Sequence, residues 1–297
     1  MEILYSRALA HFVAAFDHGN LRRAASDVGV TQPAISKSIQ KLEENIGTKL
    51  FERTSEGVRP TIIAHTLRRH AQSILNEARF VETEISSLVE GRTGLVRIGV
   101  GPAWSLTVFP AILEKFRTRF PQIDVEVESG VTDHLLPRLE DGDIDIWLGS
   151  LHSIKDSDEV ITCAGGQAEL RVYARPSHPL VKLKNVSAHD MNSFSWATFV
   201  NDKRGLEYLG RYFSESGLAR PRVALRLSSL MTMFRIAMES DLLVLAADSL
   251  EDEATARGLT MLRHDGCIWR FSVGMAYRRN TAHLAVTKFF IASMEGI

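Results

Sequence analysis

The chain has 297 residues, enough for two or three compact regions, and its make-up is that of an ordinary folded protein, 45% hydrophobic and 24% charged with no biased tract. The formal net charge of −1 gives no overall argument for a nucleic-acid partner, so any such case must come from where the charges sit. The N-terminus lacks the basic start and apolar run of a secretion signal, and no stretch nears the roughly 18 apolar residues of a membrane span, which points to a cytoplasmic protein.

In chain order, a first helix carries Leu9, Phe12, Val13 and Phe16 on one face and ends at His18-Gly19. Asn20 can cap a second, two-turn helix whose Leu21, Ala24, Ala25 and Val28 offer small packing residues before Gly29. A third helix opens at Thr31 as N-cap with Pro33 in its first turn, and Ile35, Ile39, Leu42 and Ile46 form its buried face. That face leaves Gln32, Ser36, Lys37 and Gln40 outward, with no acidic residue until Glu43 and Glu44. Residues 49–53 and 58–61 flank the turn signal Ser55-Glu56-Gly57, so a short hairpin or wing follows. From 62 to 90 no Gly or Pro interrupts, and Leu67, Ala71, Ile74, Ala78, Val81, Ile85 and Leu88 alternate steps of four and three. Such a helix is about 40 Å long at about 1.5 Å per residue, and its narrow stripe either packs on its own chain or joins two chains. Gly91-Arg92-Thr93-Gly94 ends it as a linker.

Beyond this point strands alternate with helices. Strands are expected at 95–100, 124–128 and 144–148, with helices at 110–120 and 133–139 between them, then further strands at 170–174, 195–199, 223–227, 242–246 and 271–277 and a final helix at 281–294. That order implies βαβ units and a mostly parallel sheet. No phosphate-binding glycine loop, nucleophile elbow or HExxH motif occurs, so catalysis has no candidate constellation and no cofactor is implied. Cys163 and Cys267 have no CxxC partner and no neighbouring His or Cys at metal spacing, and therefore suggest neither a disulfide framework nor a metal site.

Leu21-Arg22-Arg23-Ala24-Ala25, Val30-Thr31-Gln32-Pro33-Ala34-Ile35-Ser36, Lys49-Leu50-Phe51-Glu52-Arg53 and Arg59-Pro60-Thr61 together resemble the DNA-binding domain of LysR-type transcriptional regulators. The resemblance continues through 95–99, Phe109-Pro110, Phe120-Pro121 and Gly142-Asp143-Ile144-Asp145. It departs after the wing, where Thr61-Ile62-Ile63-Ala64 replaces the family's Thr-Glu-Ala-Gly, and in the second subdomain, where residues 240–246 stand in for a glycine-rich stretch ending in Leu-Pro. The fold implied is α/β overall: an N-terminal, all-α winged helix-turn-helix (1–61, with the helix-turn-helix at about 21–40), a linker or dimerisation helix (62–92) and an effector-binding domain (93–297). The last is similar to periplasmic binding proteins, with subdomains at 93–163 plus 268–297 and at 164–267, and chain crossings near 161–165 and 265–268.

The resemblance places Gln32 at a base-contacting position, with Pro33 on thymine methyls or sugars and Thr31, Ser36, Lys37 and Gln40 beside them. Arg22, Arg23, Ser38, Arg53, Arg59 and Thr61 are expected on phosphates. The double-stranded DNA target is expected to be a partly palindromic operator read by a homodimer or homotetramer. A small-molecule effector, plausibly a small organic anion, is expected beyond the strand ends at Gly101, Pro102, Ala103, Trp104, Ser105, Thr132, Gly149 and Ser150, with Phe199, Asn201, Ser228 and Ser229 opposite. Trp104 has the alternative of packing inward as core. A periplasmic binding protein and an enzyme with an attached DNA-binding domain are the competing readings, and proximity of the two cysteines at the crossings would permit a redox switch.

Overall fold

The computed structural model describes residues 7–54, 57–89, 94–152, 154 and 159–295, and within the long helix it leaves out the side chains at 79, 80 and 82–89. The expectations for Ile85 and Leu88 therefore lie outside the described residues. The chain divides into two compact units, one running from the N-terminus to Leu95 with 122–124 and 140–143, the other holding the remainder.

The first unit is built from α1 (Arg7–His18), α2 (Leu21–Asp27), α3 (Gln32–Ile46), the strands β1 (Phe51–Thr54) and β2 (Gly57–Pro60), and α4 (Ile62–Val89). Phe12, Ala15, Ala24, Ala25, Ile35, Ile39 and Leu50 form its core, closed by Ala64, Ala71 and Leu75 of α4. Alanines at the contacts let four helices approach closely, so a small module buries a continuous apolar centre. Asn20 caps α2 as expected, its Oδ1 accepting the N–H groups of Arg22 at 2.9 Å and Arg23 at 3.2 Å. Thr31 stands at the N-cap of α3 but its hydroxyl makes no capping bond, and Ile46 is 41% exposed because the last turn of α3 runs past the cluster. On α4, Ala71 is buried and Leu67 packs partly against the same core, so the early turns of the heptad seam are used within the chain, whereas Ile74 is 51% exposed. The guanidinium of Arg68 holds the Asp17 carboxylate of α1 through Nε and Nη2, each at 3.1 Å.

The second unit is a nine-stranded sheet in the order β4-β3-β5-β11-β6-β9-β7-β8, with β10 beside β6. Its strands are β3 (Gly94–Val100), β4 (Ile123–Ser129), β5 (Ile146–Ser150), β6 (Val160–Ala174), β7 (Trp196–Phe199), β8 (Val223–Leu227), β9 (Leu243–Ala247), β10 (Thr260–Leu262) and β11 (Arg270–Arg278). The helices are α5 (Phe109–Arg119), α6 (Thr132–Asp141), α7 (Ala188–Met191), α8 (Lys203–Glu215), α9 (Leu230–Met238), α10 (Glu251–Ala256) and α11 (Ala285–Met294). The sheet is mixed rather than mostly parallel: β3/β5, β7/β8 and β7/β9 are parallel, while β11 runs against β5 and β6, and β6 against β9 and β10. The cause is the pair of connecting strands, β6 and β11, which lie side by side in opposite directions. β6 pairs with β11 through Glu169 and takes β9 as partner only from Leu170, so the change of partner falls later than the 161–165 stretch expected from sequence.

This unit holds two apolar cores. Leu135, Leu139, Ile144, Trp147 and Val160 form one, and Tyr173, Phe199, Met233, Phe234, Val244 and Leu250 form the other.

The hairpin of β1 and β2 closes on the first helical turn through the Val58 N–H, which donates to Gly19 O at 2.9 Å. Gly57, at φ +150°, lies so close that a Cβ there would stand 2.3 Å from the Gly19 carbonyl oxygen. Gly57→Ala is therefore expected to destabilise the first unit by about 1–3 kcal/mol. Thermal unfolding with the melting temperature unchanged would contradict that contact.

Candidate functional site

On the first unit, Arg22 and Arg23 open α2, Thr31, Gln32, Pro33, Lys37 and Gln40 are exposed on or at the start of α3, and Ser36 and Ser38 are half-buried there. Arg53 on β1 and Arg59 on β2 are exposed on the hairpin, whose register pairs Arg53 with Val58 and Glu52 with Arg59. Arg22, Arg23, Lys37, Arg53 and Arg59 form no ion pair among the described residues, while nearby cations such as Lys49 and Arg68 do. In a chain of net charge −1, five cations without an ion-pair partner among the described residues on one small module are available to phosphate. Two other expected contact residues are already engaged: the amide of Gln40 donates to Glu44 Oε1 at 3.0 Å, and Thr61 Oγ1 donates to Lys49 O at 3.1 Å while accepting the Ala64 N–H at 3.3 Å. Thr61 thus caps α4 and fastens it to the strand.

Glu43, which the sequence marks only as the first acidic residue of α3, is the joint between helix and hairpin. It is 8% exposed, its Oε1 accepts the N–H groups of Leu50 at 2.9 Å and Phe51 at 3.2 Å, and its Oε2 takes the Lys49 ammonium at 2.6 Å. Burial on its own would raise this carboxyl, but the Lys49 bond and the two backbone donors outweigh it and hold the group below the usual Glu range. A Glu seven residues before a Leu-Phe pair gives no recognisable sequence signal, because the pairing needs the turn between them.

The second unit contains a cleft of about 840 Å³, counting its open mouth. Of the residues expected around an effector, Gly101, Pro102, Ala103, Trp104, Thr132, Gly149, Ser150 and Phe199 line it, and Ser105, Asn201, Ser228 and Ser229 do not. Ser105 donates to Pro102 O at 2.7 Å, and Ser229 caps α9 by accepting the Thr232 N–H at 3.2 Å. Trp104 is 4% exposed and lines the cleft, so its two readings coexist. Sequence reasoning missed Asp133, His152, Leu170, Asp202, Arg204, Leu245 and Phe271, along with Trp269, which stacks on Tyr208 at 4.8 Å and 6°.

The polar end of the cleft is acidic. Asp202 caps α8, its Oδ1 accepting the Gly205 N–H at 2.8 Å, and Asp133 accepts the Arg204 N–H at 3.0 Å. Burial pushes the Asp202 carboxyl up to about 6 against the Gly205 bond, and the Asp133 charge adds to the rise. The Arg204 side chain pairs with Glu207 at 3.2 Å, both partly exposed. Burial, reinforced by the Arg204 charge, lowers His152 and keeps it neutral near pH 7.

The two cysteines are not neighbours. Cys163 pairs with Met275, Cys267 contacts the Glu169 carboxylate, and the six residues of β6 from 163 to 169 span about 20 Å at about 3.3 Å each. Burial and Glu169 raise the Cys267 thiol, the reverse of what a reactive thiolate needs. Among the described residues no group of three or more His, Cys, Asp or Glu could hold a metal ion, and no helix is long and apolar enough to cross a membrane.

A helix-turn-helix with a wing, joined by a long helix to an α/β unit with a ligand-sized cleft, is the build of a DNA-binding protein that answers to a small molecule. Residues 6–64 match the bacterial regulatory helix-turn-helix protein of the lysR family, and residues 90–296 match the LysR substrate binding domain. The chain belongs to the LysR family: it is a DNA-binding transcriptional regulator whose C-terminal domain serves a small-molecule effector. The SDS degradation transcriptional activation protein of Pseudomonas sp. is 28% identical over 86% of this chain and 83% of its own length. The HTH-type transcriptional regulator GbpR of Azospirillum brasilense is 28% identical over 82% and 72%. Among solved structures, the LysR family regulator CbnR superposes with a TM-score of 0.64 at 18% identity, covering 98% of both chains, and full-length CbnR complexed with its target DNA with 0.63 at 20% identity and the same coverage. These likenesses establish the fold, and the C-terminal domain is the two-subdomain α/β type expected from the sequence.

Replacing Glu43 by Gln leaves the same donors facing a neutral, weaker acceptor and Lys49 without its charge partner, and is expected to cost about 1–3 kcal/mol at neutral pH. Because the folded-state carboxyl titrates below its unfolded value, the contribution is complete above about pH 5 and disappears as pH falls through the usual Glu range near 4.3 and below. Thermal unfolding of both proteins between pH 7 and 3 should show the gap closing on acidification, and a pH-independent gap would refute the carboxylate's role.

Proposed function

We propose that α3 reads operator bases through Gln32, with Pro33, Ser36 and Lys37 beside it, while Arg22, Arg23, Arg53 and Arg59 hold the phosphates on either side. The observation that carries this reading is the outward, acid-free start of α3 set among five cations that have no ion-pair partner among the described residues. Thr61, Ser38 and Gln40 act by fixing the module more than by touching DNA. Two copies joined along α4 through Ile74 and Val81, Ala78 of the expected seam being buried within its own chain, would present two recognition helices to a partly palindromic site, and the tetramer expected from the family would add a second pair. The regulator works in the cytoplasm without catalysing a reaction. Its effector occupies the cleft lined by Gly101, Trp104, Thr132 and Phe199 and shifts the balance between states that hold the DNA differently.

The test is selection of DNA from a random duplex pool by the wild-type protein, followed by binding of the selected site to variants. Gln32→Ala should relax preference at one base position per half-site and cost about 1–3 kcal/mol. Arg53→Ala and Arg59→Ala should instead weaken binding to all sequences and flatten the salt dependence by about 0.9 per lost phosphate contact, whereas Thr61→Val should lower the melting temperature and leave that slope unchanged. Unaltered affinity and preference in Gln32→Ala would remove α3 as the reading helix.

A second measurement addresses assembly. Ile74→Lys with Val81→Lys would place unpaired charges in the α4 seam, and the double variant is expected to sediment as a smaller species than wild type. Sedimentation identical to wild type would exclude the seam.

A further inference from the structure

We infer that the effector of this regulator is a largely apolar, ring-sized molecule that carries a hydrogen-bond donor, an ammonium or a hydroxyl, directed at the carboxylate of Asp202, and that a free organic acid is disfavoured. The inference rests on the reading of the cleft as the effector site and adds the chemistry of what fits it.

The cleft wall is made of Trp104, Phe199, Leu245, Trp269 and Phe271 together with small residues, so most of a bound molecule must be hydrocarbon or ring. Two donors that would serve an anion are already taken. The Gly101 N–H donates to Leu148 O at 2.7 Å, and the Thr132 hydroxyl donates to Ser150 O at 3.1 Å. What the cleft offers in their place is acceptor capacity: Asp202 Oδ1 is held by Gly205, and no donor reaches Oδ2 among the described residues. Asp133 stands close enough for its charge to act on Asp202, and the one guanidinium lining this end among the described residues, that of Arg204, is paired with Glu207. A carboxylate entering here would face two carboxylates across apolar surface, while an ammonium or hydroxyl would find an acceptor that lacks a partner. Asp202 is positioned for this by the sequence Asn201-Asp202, where Asn201 adopts φ +64° and turns the chain from β7 into α8.

Three probes that share one carbon skeleton separate the possibilities: 2-phenylethylamine, 2-phenylethanol and phenylacetate, each titrated to millimolar concentration against the full chain by tryptophan fluorescence and thermal shift. For wild type, the amine and the alcohol should bind at least about tenfold more tightly than phenylacetate, a factor worth about 1.4 kcal/mol. Asp202→Asn keeps a side chain able to cap α8 and should erase the advantage of the amine over phenylacetate. Ala103→Phe, which fills the cleft from its half-buried wall, should weaken every probe that binds. Phenylacetate binding as tightly as the amine to wild type, or no saturable binding by any probe, overturns the ligand class, and the wild-type series gives that answer even if a variant fails to fold. Equal binding of a probe to wild type and Ala103→Phe would mean instead that the cleft is not the site, which is failure of the underlying reading.

Discussion

A strand of fifteen residues, β6, is shared by both halves of the ligand-binding unit, and most of that unit's architecture depends on the sharing. Up to Glu169 it lies against β11, and from Leu170 to Ala174 it lies against β9 and β10. β11 leaves β6 after Glu169, and β9 takes over from Leu170, so the sheet changes partners there while the strand continues. Ala168 and Leu170 sit at that change and line the cleft. The cleft is thus a consequence of strand pairing, and its apolar wall comes from core residues at the seam rather than from loops alone. β11 is the returning strand, and its antiparallel run beside β6 is what makes the sheet mixed.

The DNA-binding module solves a different problem. A recognition helix is useful only if its register and tilt are fixed, and a module this small has little core with which to fix them. The buried Glu43 carboxylate supplies the constraint by accepting two backbone N–H groups from the start of β1 and the Lys49 ammonium. Thr61 repeats the device on the other side, tying α4 to the carbonyl of Lys49 and to its own first turn. Both residues fasten the hairpin to helices, so the exposed cations of the hairpin are held at a fixed offset from the start of α3. Thr61, which reads from sequence as a candidate contact, is engaged as a structural joint, whereas Arg22, Arg23, Arg53 and Arg59 form no ion pair among the described residues.

Charge in the cleft follows the same logic in the opposite sense. Asp133 and Asp202 are helix-start residues, a position that favours carboxylates for reasons of capping and helix dipole. Their use as caps brings two acidic side chains to the same apolar space, beside backbone N–H groups at strand ends that would by themselves attract anions. Which influence dominates depends on which donors are already satisfied, and the Gly101 N–H and the Thr132 hydroxyl are bonded to Leu148 O and Ser150 O.

Local chemistry made the helix-turn-helix legible in the sequence: Asn20 capping α2, glycines at 19, 29 and 47 ending successive helices, and isoleucines at 35 and 39 spaced for one face. Strand positions were also legible where alternation or apolar runs bounded by turns were strong, as in β3, β8 and β9. The first two-thirds of β6 was not, because Thr162-Cys163-Ala164-Gly165-Gly166 has weak strand propensity and is held extended by β11, a hundred residues away in sequence. The same limit hid Glu43, Asp202 and Trp269, whose roles arise from partners that approach only after folding. Sequence by itself determined the family, the order of the elements and the helix-turn-helix, since those rest on motif, periodicity and caps within a few turns of chain. Tertiary structure alone decided the strand directions, the acidic character of the cleft and which polar side chains are already engaged, because each of these depends on hydrogen bonds and burial between segments that no local spacing brings together.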